Sequence, residues 1–243
     1  MKQSVEGIVL QSVKHSDRTS IVTVYTAAHG RLALAVAAGP SGRRKGGKSP
    51  LMPLSVVEFS ADLGRRGATG VIRPSGLTLG AVWRTLYFSP VKTALGLFLA
   101  EFLARLLREG EPDRGLYAFV RGSLQVLDTL ERGVANFHLV FLTRLAYVMG
   151  IGPDTSGYTP RAIFDMRSGV YTPLHPGHYD VLEGSCAHAP QMLGRLDYAN
   201  MHRLRLTRLE RNRLLEGLLS YWNIHFPGTA TLKSLEVLRD IFS

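Results

Sequence analysis

The sequence predicts an α+β protein of two domains, a small five-stranded β barrel over residues 1–80 followed by an α-helical bundle over 81–243. Three observations carry that prediction. Apolar residues alternate with period two in short runs up to about Leu77, as they do in half-buried strands. From Ser89 onward they recur at helical spacing instead. The 243 residues are 45% apolar and 20% charged, which fills a core and is too apolar for general disorder.

Residues 4–39 read as three strands. Val5, Gly7, Val9 and Gln11 alternate with Glu6, Ile8, Leu10 and Ser12; Ser20–Tyr25 is β-branched and aromatic; Arg31–Ala37 alternates again. Their connections are short and polar, His15-Ser16-Asp17-Arg18 and then Ala28-His29-Gly30, whose glycine suits a hairpin. Gly39–Pro50 is rich in glycine and cations with no apolar side chain to bury, so it is a loop. Leu54–Ser60 and Gly70–Pro74 are two more strands, joined through Leu63-Gly64-Arg65-Arg66-Gly67. Five short strands with one long basic loop suit a Greek-key barrel such as the OB-fold.

Ser89-Pro90 has the cap-then-proline order of a helix start, and Leu95, Phe98, Leu99, Phe102, Leu103 and Leu106 follow on one face. Glu101 and Arg105 form an i,i+4 pair on the other face, and Gly110 with Pro112 ends the helix. Asp113 caps a second helix carrying Leu116, Phe119, Val120, Leu127 and Leu130, with Gly133 at its end. Asn136 is placed to cap a third, Phe137–Met149, apolar nearly all round and therefore central. Residues 153–200 form a loop-rich, proline-rich insertion, with two short strands in Phe164–Tyr171 around Ser168-Gly169. Thr207-Arg208-Leu209-Glu210 is a capping box, and Leu232–Phe242 forms a last short helix.

Charge points to the partner. The chain has 29 Lys+Arg against 19 Asp+Glu, a formal net charge of +10. Residues 1–80 hold 11 Lys+Arg against 4 Asp+Glu, residues 81–150 hold 8 against 6, and residues 151–243 hold 10 against 9. The excess therefore sits on the barrel, where it attracts a polyanion. Lys14, Arg18 and Arg31 flank strand ends; Arg43, Arg44, Lys45 and Lys48 lie in the long loop; Arg65 and Arg66 lie in the next. As a set they suit a groove for a nucleic-acid backbone, bound electrostatically and without base readout. Tyr25 and Phe59 are possible stacking platforms that equally fit a core.

Other chemistries are weaker. Gly42–Ser49 satisfies G-x-x-x-x-G-K-[ST], which makes a phosphate-loop NTPase an alternative; an OB-fold RNA-binding module is another. Pro50, Pro53 and the strand-like Leu54–Phe59 argue against the helix that a phosphate loop needs. His175, His178, Cys186 and His188 are potential metal ligands, but their spacing follows no familiar zinc pattern. No nucleophile has an activating partner, so no catalytic residue and no cofactor is expected. One cysteine excludes an internal disulfide framework and suits a reducing compartment. Met1-Lys2-Gln3-Ser4 runs straight into a strand pattern without an apolar signal core. Leu95–Leu107, broken by Glu101 and Arg105, is shorter than the roughly 18 residues of a membrane span.

The sequence resembles the RecO recombination mediators of bacteria over nearly its whole length. The likeness runs through Glu6-Gly7-Ile8-Val9-Leu10, Thr26…Gly30-Arg31, and Ser49 followed by Leu51-Met52-Pro53. It continues through Phe98–Leu103, Glu109–Asp113, and Phe137…Gly150-Ile151-Gly152-Pro153-Asp154, then Tyr221–His225 and Leu232–Leu238. The order and spacing of these pieces carry the resemblance more than any one of them.

That resemblance implies an amino-terminal OB-fold, a helical carboxy-terminal domain and a non-enzymatic role in the RecF pathway of the bacterial cytoplasm, associated with the nucleoid. It implies binding of single- and double-stranded DNA and strand annealing. Work with RecR, and in some cases RecF, would load RecA onto strands coated by single-stranded-DNA-binding protein. Many members carry a four-cysteine zinc site in the region of residues 154–188, where this chain has only Cys186, so zinc is not carried over. The acidic, apolar tail of the single-strand binder calls for an apolar pocket with a cationic rim, for which Arg203, Arg205, Arg208 and Arg211 are candidates.

Overall fold

The computed structural model describes residues 2–37, 51–63, 70–107 and 111–241. By contacts the chain divides into two compact units, 1–129 and 130–243. The change from strands to helices falls earlier, after residue 79, so the first unit contains the barrel and two helices.

In the first unit, β1 (Lys2–Ser16), β2 (Thr19–Thr26) and β3 (Gly30–Ala37) form an antiparallel meander. β4 (Val56–Asp62) pairs with the first half of β1. The chain from 71 to 79 then does two jobs. Its first piece, β5 (Val71–Ile72), runs parallel to β3, and its second, β6 (Ser75–Leu79), runs antiparallel to β4. Pro74, which has no amide hydrogen to donate, lies at the break. The sheet order β5-β3-β2-β1-β4-β6 thus begins and ends on one kinked strand, and that strand closes the curl. The fold is the expected OB-type barrel; the segment Ser75–Leu79 is a strand that the sequence reading did not include.

Alternation fills this barrel as the pattern requires. Val9, Val24 and Leu32 are neighbours across three strands, Val22 faces Leu34, and Val5 faces Phe59, all in one buried cluster. The opposite face is buried as well where Ile8 pairs with Tyr25. There α2 (Arg114–Thr129) brings Tyr117, whose ring lies 6.0 Å from that of Tyr25 and whose hydroxyl donates to Glu6 Oε1 at 2.6 Å. Tyr25 and Phe59 are both core residues, closed to base stacking.

Helix α1 (Pro90–Leu106) is capped by Ser89, and Asp113 Oδ1 accepts from Leu116 N at 2.9 Å to cap α2, both as expected. The last turn of α2 is tied back by a buried polar knot. Asp128 accepts from the amides of Arg84, Thr85 and Leu86 at 2.8, 2.7 and 2.8 Å. Lys92, only 6% exposed, donates to the Asp128 carbonyl at 2.8 Å and to Thr85 Oγ1 at 2.6 Å. Burial alone would raise the Asp128 pKa; the three amides and the lysine outweigh it and hold the carboxyl below its ordinary range.

The second unit is built on α3 (Phe137–Val148), buried on nearly every side. Asn136 does not cap it. Its Nδ2 donates instead to the carbonyls of Met201 and Leu204 at 3.0 and 2.8 Å, pinning a distant segment. The proline-rich region holds a small sheet, β8-β7-β9, made of Ile163–Asp165 (β7), Val170–Thr172 (β8) and Val181–Leu182 (β9). Phe164, Met166, Tyr171 and Tyr221 form its own apolar cluster. Helix α4 (His188–Gly194) follows, then α5 (Arg208–His225) with the expected capping box at Thr207 and Glu210, and α6 (Ser234–Ile241).

Candidate nucleic-acid interface

Register fixes where the barrel presents its cations. Ser16 pairs with Thr19, and Thr19 pairs with Ala37. The β1–β2 turn carrying Arg18 therefore lies at the same end of the barrel as Ala37, from which the basic 38–50 segment departs. Lys14 stands beside that turn. It makes a 2.8 Å ion pair with Asp17, but both side chains are largely exposed, so the pair is worth little and gives way to a stronger anion. From Gln11 to Arg18 every residue is exposed. This hairpin end carries charge and contributes little to the core.

Arg73, exposed at the β5–β6 break, is a further cation of the barrel and lies within the strand expected at Gly70–Pro74. β5 is parallel to β3 with Ile72 opposite Leu34, so Arg73 follows toward the Ala37 end. Arg31 is not brought there. It pairs with Tyr25 at the other end of β2–β3, and its guanidinium donates to the Ala104 carbonyl at 3.0 Å in the last turn of α1. A cation there complements the helix C-terminus. Arg43, Arg44, Lys45, Lys48, Arg65 and Arg66 lie outside the described residues.

After Pro50 the chain makes a turn and enters β4, where a phosphate loop would require a helix. The potential metal ligands are engaged separately. His178 faces Asp165 at 3.4 Å, His175 faces Glu183 at 3.5 Å, and His188 Nδ1 lies 3.0 Å from the Tyr158 hydroxyl. Among the described residues no group of three or more His, Cys, Asp or Glu is placed to hold a metal. No helix among them is long and apolar enough to cross a membrane.

The second unit holds an apolar cavity of about 360 Å³ between α3, α4 and α5. Ala146, Leu193, Leu214, Leu218 and Tyr221 form much of its wall, and Arg213 and Glu210 supply charge. Arg203, Arg205, Arg208 and Arg211 do not line it. Arg213 was missed because, read alone, it looks like one more surface charge on α5; only folding brings Ala146 of α3 and Leu193 of α4 to the same cavity.

The description "Recombination protein O N terminal" belongs to a family model that matches residues 1–73, and "Recombination protein O C terminal" to one that matches 88–159. The DNA repair protein RecO of Phocaeicola vulgatus is 37% identical over 244 residues, covering 100% of both chains. That of Bacteroides fragilis is 36% identical with the same coverage, and that of Porphyromonas gingivalis strain W83 is 30% identical over 97% of each chain. Matches of that identity along the full length, on a barrel-then-helices layout, place this chain in the RecO family of DNA repair and recombination proteins.

Proposed function

We propose that the protein is a recombination mediator that binds single- and double-stranded DNA and anneals complementary strands without making or breaking a covalent bond. The observation that supports this best is the register that puts Lys14, the turn with Arg18, and Ala37, which precedes the basic 38–50 segment in the chain, at one barrel end. Two DNA strands repel through their phosphates, and a cationic surface that holds them screens that repulsion while the bases search for register. Arg43, Arg44, Lys45, Lys48, Arg65 and Arg66 join that surface in this reading; Arg31 contributes at its own end.

Family membership supports the partners in this reading. RecR, with RecF in some settings, acts with this protein to load RecA onto strands coated by single-stranded-DNA-binding protein, in the bacterial cytoplasm. The apolar cavity beside Arg213 fits the acidic, apolar tail of that binder, since an aromatic or aliphatic end enters the cavity while carboxylates meet the arginine. The test is annealing of bare and pre-coated complementary strands at several salt concentrations. Annealing should fall steeply from low to moderate salt. It should also fall in the Arg43/Arg44/Lys45/Lys48→Ala variant, by a similar factor for every sequence; a variant that anneals like the parent removes the loop from the reading.

A further inference from the structure

We propose that residues 202–213 of the second unit form another polyanion-binding surface, one that takes the phosphate backbone of a second DNA strand; the proposal rests on the annealing reading above. Its first support is charge that an average conceals. Residues 151–243 carry 10 Lys+Arg against 9 Asp+Glu, but the stretch His202–Arg213 alone holds five arginines and one glutamate. The remainder of that region is net acidic, so the cations are segregated and not merely scattered.

The one acid within the stretch is occupied. Glu210 Oε2 accepts from Thr207 N at 2.7 Å and from Thr207 Oγ1 at 2.8 Å, closing the capping box. The backbone beneath the arginines is held in place. Asn136 grips the carbonyls of Met201 and Leu204, and Gly133, at φ +76°, lies so close that an added Cβ would come within 2.9 Å of His202 Cα. Arg211 is half-buried and braces the site, donating to Asn136 Oδ1 at 3.3 Å and to the Leu206 carbonyl at 3.1 Å.

Outward from this base a 3-10 turn, Met201–Arg203, ends in an extended residue at Leu204; Leu204 and Leu206 are half-buried, and Arg203 and Arg205 on either side of Leu204 are exposed. Across that one extended residue the two arginine backbones stand about 6.6 Å apart, a spacing suited to successive phosphates of a drawn-out strand. Arg208 follows on the first turn of α5, 3.6 Å from the exposed Asp240, a loose pair that a phosphate can displace. The shallow depression alongside is lined by Asn136, His202, Arg205 and Thr207 together with Ala135, Leu204 and Leu206. Three exposed arginines spread along the chain, Arg203, Arg205 and Arg208, favour the repeated charges of a nucleic-acid backbone. Both family matches end by residue 159, and neither reaches this surface.

The test uses the full chain with Arg203, Arg205 and Arg208 all changed to Gln, and a matching triple Lys variant. First-strand affinity is read by anisotropy of a labelled oligonucleotide, and second-strand capture by energy transfer after the first strand is saturated. The Gln variant should bind the first strand within about twofold of the parent, yet capture the complement about tenfold more slowly. The slope of log rate against log salt should shrink by about 2, from roughly 0.7 per lost phosphate contact. The Lys variant should restore capture. Unchanged capture in the Gln variant overturns the proposal and leaves the annealing function standing. Equal loss of first-strand binding overturns the existence of a separate second surface. A Gln variant that anneals normally but loses an Asp/Glu-rich peptide reassigns the surface to a protein. A parent that neither binds nor anneals DNA refutes the functional reading itself, and this proposal falls with it.

Discussion

Replacing Asp128 with alanine strips the acceptor from three amides at once and removes the counter-charge facing a buried lysine. Breaking a buried charge arrangement from one side costs about 3–5 kcal/mol, because the groups left behind stay desolvated. Asparagine should cost less, about 2–3 kcal/mol. Its single oxygen can replace Oδ1, which serves Thr85 and Leu86, while its NH2 would face the Arg84 N–H donor to donor. The assay is urea unfolding followed by the fluorescence of Trp83, buried in the same unit, with Trp222 of the other unit changed to Phe. pH supplies the second arm. The folded-state pKa of Asp128 is depressed, so its contribution is present above the unfolded value of about 3.9 and disappears as pH falls through the folded one. The gap between parent and Asp128→Asn should therefore close in acid. An alanine variant that loses less than about 1 kcal/mol, or a gap that stays constant to pH 2.5, would refute the reasoning.

Three further outcomes are expected. His138 is buried and near Arg211; burial first and that guanidinium second push its pKa down to about 3. Its folded value lies below the unfolded one of about 6.5, so the second unit should lose roughly 1.4 kcal/mol per pH unit as pH falls below that value. Trp222 fluorescence should show this loss, and a His138→Leu variant should not. Gly133 and Gly150 share φ near +75°, yet a Cβ at Gly150 meets nothing within 4 Å. Gly150→Ala should cost about 1 kcal/mol and Gly133→Ala about 1–3 kcal/mol more, with thermal unfolding as the readout. Arg213→Glu should weaken an acidic peptide with an apolar C-terminal end at least tenfold by calorimetry, while first-strand DNA affinity stays unchanged.

What the sequence disclosed was local. Alternation in β1 to β4, the Ser89, Asp113 and Thr207 caps, and the Glu101–Arg105 pair depend on neighbours within a few positions, and all are present. Asn136 shows where that stops. By position it is a cap, but the carbonyls it satisfies belong to residues 201 and 204, and no pattern of period two or four reports them. The Asp128–Lys92 knot was hidden for the same reason. β6 escaped notice because four of its five residues are exposed and Gly76 has no side chain, which erases the alternation that marks a strand. At the candidate interface, composition identified the charged third of the chain, but only register could separate Arg31 from Lys14 and Arg18.

The kinked strand at 71–79 has a consequence for the order of folding. The β1–β3 meander and its partner β4 are complete by residue 62, but β3 and β4 each keep an open edge until the chain has been made through residue 79. One late segment, residues 71–79, seals both edges. Until then the nascent chain exposes two unpaired strand edges of the kind that recruit other chains. A truncation at residue 70 should accordingly aggregate, and the same protein ending after α2 should not.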